Sequence, residues 1–404
     1  MNAKVFSERL NTSRIVWDRV KETIRSSYKE DSKPWIIPYP HGPNSFTLLH
    51  IILGIMKEEK DPKPVTIVQS QTGNDLPFVL EESNQTFRYI NRYAAAYHLP
   101  ISTEIITPSL EDSFWVNVIG NGFPPPKTNF QYCGETLKIK PMVNWLKEHT
   151  NTPCKIILSG LSYDPSFRGV ANTDELQPLN GLEFADIILF SRLYGVTPWG
   201  EKTNKFSDLY EAVTDSVSPI PYSLRNEEYK EVQGPCGRMN TDFQLPCWNC
   251  PLMNYQTLLA KRIDLKDERW YKHLFAIQRK LYTLSFEQGA RDGEENRQQM
   301  HHVKRGRNNQ EESQNTKSDV SPKDYTAPQS ETLYLSTRRE IFHFIKEREG
   351  IIRDYMDKDF NQPHSHFRFF SEEEETEIKR LWDAELEKKE DSYEPEREQI
   401  TFNF

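Results

Sequence analysis

The stretch PWIIPYPHGPNSFTLLHIILGIMKE, residues 34–58, decides how the chain is read. PWIIPY (34–39) is a short apolar run suited to a buried strand, and PHGPN supplies turn formers before Ser45 opens the helical run SFTLLHIILGIMKE. A strand, a glycine-containing turn and a helix N-terminus together present backbone N–H groups to a phosphate. The pattern recurs in VTIVQS (65–70), followed by QTGNDLP and the helical FVLEESNQTFRYINRYAAAYHL, and then in the strand ISTEIITP. After the aromatic loop SFWVNVIGNGFPPPKTNFQYC, Pro141 suits the first position of a helix through MVNWLKEH. KIILSG (155–160) has the continuous apolar character of a buried parallel strand. This alternation predicts an α/β domain with a doubly wound, mostly parallel sheet that binds ligands outside the carboxyl ends of its strands. The turns at 40–45, 71–76 and 161–168 are expected on that edge.

Working outward, the first 30 residues predict an amphipathic helix with Val16, Trp17, Val20 and Ile24 on its apolar side, and the α/β domain is expected over 31–230. A cysteine-rich segment and a helix occupy 231–286. Residues 287–330 are rich in Glu, Gln, Asn, Arg and Ser, which predicts a mobile linker. Its KRGR (304–307) suits a solvated linker better than a nucleic-acid contact. A helical C-terminal unit with an acidic tail fills 331–404. There Ser371 and Glu374 form a capping box, and Ile378, Leu381, Trp382 and Leu386 make an apolar stripe expected to pack on the main domain. The formal net charge of −9 argues against a sequence-wide grip on nucleic acid. No run approaches the roughly 18 apolar residues of a membrane span, so a cytoplasmic location without membrane partners is expected.

Four of the five cysteines carry the chemistry: Cys133, and then Cys236, Cys247 and Cys250 in GPCGRMNTDFQLPCWNCPL. In a cytoplasmic protein disulfides rarely persist, and clustered thiolates point to metal. Cys154, in an apolar run, reads as a small buried hydrophobe. Four thiolates fit structural zinc or an iron–sulfur cluster, and one Cys-x-x-Cys with widely scattered partners is unlike the paired knuckles of a zinc ribbon. Phe114, Trp115, Phe123, Phe130 and Tyr132 surround the first cysteine in sequence and read as core or as a shield for a cluster.

SFWVNVIGNGFPPPKTNFQYCGETLKIKP, TPWG with FSDLYEA, and GPCGRMNTDFQLPCWNCPL resemble, in order, the DndC family, the sulfurtransferases of bacterial DNA phosphorothioation. That family lies within the phosphoadenosine phosphosulfate (PAPS) reductase and PP-loop ATP pyrophosphatase superfamily, of adenine nucleotide alpha hydrolase-like fold. The resemblance covers about residues 30–285. It implies a [4Fe-4S] cluster on Cys133, Cys236, Cys247 and Cys250, and a cysteine desulfurase and other DNA-modification subunits as partners. It also implies DNA as the substrate, in which sulfur replaces a non-bridging phosphate oxygen. ATP with Mg²⁺ would activate that oxygen by transferring AMP to it and releasing pyrophosphate.

The chain departs from the family where ATP should bind. The superfamily loop reads SGGKDS, and here Pro40, His41, Gly42, Pro43, Asn44 and Ser45 stand in its place. Pro43 lacks the lysine's cation and its backbone N–H, and Asn44 lacks a carboxylate for Mg²⁺. In GLSYDPSFRG (160–169) Ser166 and Arg168 remain of a nucleotide-contacting pattern, whereas Ser162 and Pro165 replace its arginine and glutamate. Gln71 stands where an acidic residue is expected. His41, Gly42, Asn44, Ser45, Ser166 and Arg168 are therefore the candidates for a degenerate nucleotide site. Two alternatives follow: a subunit with a structural role in a DNA-modification or phage-defence complex, and, more weakly, a PAPS reductase. A PAPS reductase carries a catalytic cysteine near its C-terminus, and no cysteine follows Cys250 here.

Overall fold

A computed structural model describes residues 3–75, 77–126, 132–149, 151–160, 167, 170–203, 247–251, 270–284, 300–301, 332–360 and 367–391. The chain divides into two compact units. One comprises Met1–Asp112, Pro125–Ala290 and Arg307–Tyr325, and the other Ser113–Pro124, Arg291–Gly306 and Thr326–Phe404.

The first unit is α/β. Helix α1 (Ala3–Glu30) leads into β1 (Trp35–Pro38), α2 (Pro43–Glu58), β2 (Val65–Ser70), α3 (Pro77–Tyr97) and β3 (Ile101–Ile106). A short turn of helix, α4 (Tyr132–Gly134), runs through a π-helical turn (Glu135–Ile139) into α5 (Lys140–His149). Then come β4 (Cys154–Ile157), β5 (Thr173–Leu176), α6 (Phe184–Leu193) and α7 (Tyr271–Tyr282). Five strands form one sheet in the order β3-β2-β1-β4-β5, every pair parallel. Strand order reverses beside β1, so the crevice between the carboxyl ends of β1 and β4 is the switch point where ligands bind in such sheets.

Alternation along β1 explains the two layers of helices. Ile36 joins Met142, Val143 and Leu146 of α5 in a core that also holds Val68, Cys154 and Ile156. Trp35 points the other way and meets Tyr28 of α1 edge to face, their centroids 5.0 Å apart. On α1, Trp17, Val20, Ile24 and Tyr28 are buried, and Trp17 packs on Phe190 of α6 at 4.6 Å. Cys154 is buried in this core, as its apolar setting in the sequence implies. The amino edge of the sheet is tied by charge. The Lys63 ammonium lies over the Tyr28 and Trp35 rings, and Asp31 pairs with Lys63 at 3.2 Å and with Lys155 at 3.1 Å.

Pro141 does not start a helix. Helical backbone is continuous from Tyr132 to His149, and Pro141 sits inside it behind the π turn, where the Lys140 N–H reaches back to the Glu135 carbonyl. Proline has no N–H to give and its ring crowds the preceding turn, and a widened turn relieves that crowding. Strand β5 carries the polar sequence TDEL at the sheet edge, with no apolar run to announce it.

The second unit is helical. Strands β6 (Met300–His301) and β7 (Thr332–Leu333) pair antiparallel, and α8 (Leu335–Phe360) and α9 (Glu372–Asp391) follow. The predicted capping box starts α9: the Glu374 amide donates to Ser371 Oγ at 3.1 Å, and the Ser371 amide to the Glu374 carboxylate at 2.7 Å. The apolar stripe of α9 packs on the aromatic loop, which coils into a π-helical turn at Val116–Gly120. Trp382 Nε1 donates to the Ile119 carbonyl at 2.7 Å, and Ile378 is fully buried. Arg338, also buried, donates to the Gly120 carbonyl and pairs with Glu385. Leu386, at the end of the stripe, is 38% exposed. Phe114, Trp115 and Phe123 are buried, and Trp115 meets Phe370 edge to face at 5.3 Å. These aromatic residues build a core, and Phe130 lies outside the described residues.

Candidate functional site

The loop after β1 sits at the switch point. His41 adopts a left-handed backbone with φ of 53°, and Gly42, extended, precedes the first turn of α2. His41, Asn44 and Ser45 all have buried side chains. Ser45, with no exposed surface, turns its hydroxyl back on the loop: Oγ accepts from the Gly42 N–H at 3.0 Å and donates to the Gly42 carbonyl at 2.9 Å. That carbonyl also accepts the Phe46 N–H at 2.9 Å. Pro43, at the first helical position, has no N–H. The Gly42 donor is therefore spent on Ser45, and the serine hydroxyl on Gly42. Ser166 and Arg168 lie outside the described residues.

The TPWG motif braces this loop from the side. Gly200, at φ of 94°, closes a turn in which Trp199 Nε1 donates to Glu201 Oε2 at 2.5 Å. Thr86 of α3 donates to the other oxygen of that buried carboxylate at 3.3 Å. The Trp199 ring meets Phe46 of α2 edge to face at 5.3 Å. FSDLYEA lies outside the described residues.

Two of the cysteine-bearing segments are anchored at the carboxyl end of β2. The first carries Cys133, buried on α4, and the π turn behind it accepts a hydrogen bond at the Leu137 carbonyl from Ser70 Oγ at 2.9 Å. Burial pushes the neighbouring Tyr132 phenol well above its ordinary range, and Cys133 adds to the effect. The second is the Cys-x-x-Cys turn, closed by a bond from the Cys250 N–H to the Cys247 carbonyl at 3.1 Å. It docks on the loop Thr72–Asp75. Cys247 Sγ lies 3.6 Å from Thr72 Oγ1, the Trp248 N–H donates to the Asn74 carbonyl at 2.9 Å, and Asn249 Nδ2 donates to Asn74 Oδ1 at 2.8 Å. From α7, Gln278 Nε2 donates to the Cys250 carbonyl at 3.0 Å. Asp75 accepts the Thr72 N–H at 2.8 Å, and burial raises its carboxyl pKa despite the opposing charge of Lys138 and the bonds from Thr72.

Cys247 and Cys250 are half-buried and Cys133 is buried, while Cys236 lies outside the described residues. Among the described residues no three Cys, His, Asp or Glu side chains converge to hold a metal ion. Cys247 and Cys250, two thiols on one closed turn, are donors of the kind a soft metal takes, and the structure does not bring Cys133 together with them into such a group. Thr72, Asn74, Asn249 and Gln278, which hold that turn, are not legible in sequence. QTGND announces only a turn, and nothing local couples Asn74 to an asparagine 175 positions on.

The fold and site define an α/β protein with an all-parallel five-stranded sheet, a helical C-terminal region and a thiol pair on the sheet's carboxyl edge. No family model and no curated protein matches the chain. Among solved structures, it is similar to a phosphoadenylyl-sulfate (PAPS) reductase from Candida auris determined as a phosphate complex. The TM-score is 0.31 at 15% identity, over 47% of this chain and 84% of that one. No helix among the described residues is long and apolar enough to cross a membrane.

Proposed function

We propose that this chain is a DndC-like iron–sulfur sulfurtransferase component of a DNA phosphorothioation system, working with a cysteine desulfurase and other DNA-modification subunits. The observation that carries the reading is the docking of the Cys-x-x-Cys turn on the carboxyl edge of the sheet, the edge where such folds do their chemistry. Cys133, Cys236, Cys247 and Cys250 would hold the [4Fe-4S] cluster. Bound there, the cluster would supply sulfur or electron chemistry beside the switch point. Anaerobic purification followed by iron and acid-labile sulfide analysis tests this: stoichiometric zinc without iron refutes the cluster. Cys247→Ser and Cys250→Ser are each expected to lose the iron and to loosen the domain, because bound metal contributes folding energy.

A second reading is favoured by the closed loop at 40–45. With the Gly42 donor and the Ser45 hydroxyl bonded to each other, the chain keeps the fold and the thiols but does not activate phosphate, and it serves as a subunit of a DNA-modification or phage-defence assembly. Pyrophosphate release from ATP in the presence of DNA separates the two. Release above that of a protein-free control supports the sulfurtransferase, and release no greater than that control supports the subunit.

A further inference from the structure

We propose that the loop Thr72–Asp75 is a seat that presets the Cys247 and Cys250 thiols for a soft metal ion, with Asn74 and Thr72 as its positioning residues. The inference rests on reading these two cysteines as metal ligands, and not on which metal they hold.

The seat is built from the strand end upward. Gly73, at φ of 74°, lets the backbone turn directly after Thr72, and no atom lies within 4 Å of where a Cβ would stand, so the glycine serves backbone conformation. The turn brings Asn74 back over Thr72. The Asn74 N–H donates to Thr72 Oγ1 at 3.1 Å, and Nδ2 donates to the Thr72 carbonyl at 3.2 Å. The second bond sets the amide flip, because with Nδ2 committed to a carbonyl, Oδ1 must face Asn249. Asn74 thus offers two acceptors, its carbonyl and Oδ1, to two donors of the cysteine turn, Trp248 N–H and Asn249 Nδ2. Thr72 Oγ1, held by Asn74, lies beside Cys247 Sγ. The far side of the turn is held by Gln278, so the segment carrying both thiols is gripped at each end.

Thr72, Asn74, Asn249 and Gln278 are all under 5% exposed. Buried polar groups bonded in such a network are rigid, and here the bonded atoms are Thr72 Oγ1, both side-chain atoms of Asn74, Asn249 Nδ2 and Gln278 Nε2, while Asn249 Oδ1 has no partner among the described residues. Apolar packing could anchor a loop equally well, but it would not define where two sulfur atoms point. Partners behind metal ligands typically contribute about 10- to 100-fold in metal affinity by this route.

The test uses the full chain, stripped of metal by a chelator under anaerobic conditions and titrated with Co²⁺ alone. Binding is followed by the thiolate-to-cobalt charge-transfer absorption. The parent is expected to bind with that band, and Asn74→Ala to bind about 10- to 100-fold more weakly. Thr72→Val, which keeps the shape and drops the hydroxyl, is expected to weaken binding and move the band, and Thr72→Ser to restore both. Thermal melts show that each variant is folded, and if Asn74→Ala is not, the valine and serine pair decides. Parental affinity and band in Asn74→Ala and Thr72→Val would overturn the proposal, as would the absence of any thiolate band in the parent. Zinc in place of iron in the purified protein would sink the cluster reading above while leaving this comparison intact.

Discussion

Replacing Ser45 by alanine separates a phosphate-binding loop from a self-sealed one. In the sealed loop the hydroxyl makes two hydrogen bonds, both to Gly42, and the serine has no exposed surface. The Gly42 carbonyl keeps the Phe46 N–H after the substitution, so that end costs little. The Gly42 N–H has no replacement in reach of a methyl group. A buried donor left without an acceptor costs about 1–3 kcal/mol, and a lost hydrogen bond about 1 kcal/mol within that total. Ser45→Ala is thus expected to lower the unfolding free energy by about 2 kcal/mol. The midpoint of a urea transition should fall with its slope unchanged. The same preparation, heated with and without ATP and Mg²⁺, should show a nucleotide-induced shift no smaller than the parent's, because the hydroxyl is not available to phosphate. A variant that kept full stability but lost an ATP-dependent shift present in the parent would refute the argument, since the hydroxyl would then have been serving the nucleotide.

His50 of α2 is buried between the Phe190 and Tyr194 rings, and burial, helped by the charge of Lys21, lowers its pKa from 6.5 to about 4. The unfolded chain therefore binds the extra proton first, so stability falls as pH drops from 6.5 toward 4, by about 3 kcal/mol at most for a shift of this size. His50→Phe should flatten that limb in denaturant titrations at several pH values. Burial pushes the Asp31 carboxyl up, but hydrogen bonds from Lys155 and Lys63 and from the Lys33 amide outweigh it and hold the pKa below its ordinary value. Its stabilising contribution is then present above about pH 4 and lost as pH falls through the lowered value. Asp31→Asn should lower stability at neutral pH and remove that acid-limb dependence. In the helical unit Trp382→Ala should cost about 3–5 kcal/mol. It empties a 6%-exposed site and frees the Ile119 carbonyl, read as a lower melting temperature and faster proteolysis of that unit.

Much of the first unit is legible in sequence because parallel strands buried on both faces must be continuously apolar: WIIP, VTIVQS and CKII announce themselves. TDEL does not, because an edge strand half open to solvent needs no such run. The α9 stripe is legible as a stripe, but its partner is not, since apolar periodicity says only that a face is covered. That partner lies more than 250 residues upstream, at Ile119, where a π-helical turn offers its carbonyl to Trp382. The same limit applies to the site. Cysteines are visible by residue type, whereas Asn74, Asn249 and Gln278 matter only through contacts made across the fold.

The two loops at the carboxyl edge differ from a phosphate site in the same chemical sense. A phosphate accepts hydrogen bonds and donates essentially none, so a loop that binds it must leave N–H groups free. After β1, proline removes one such group and Ser45 consumes another. After β2, the loop turns acceptors outward: the Asn74 carbonyl and Oδ1. Acceptors repel an anion and hold a donor, and the cysteine turn arrives with two donors, Trp248 N–H and Asn249 Nδ2. The spent donors after β1 and the outward acceptors after β2 thus have one physical outcome: the carboxyl edge beside the switch point holds a cysteine turn.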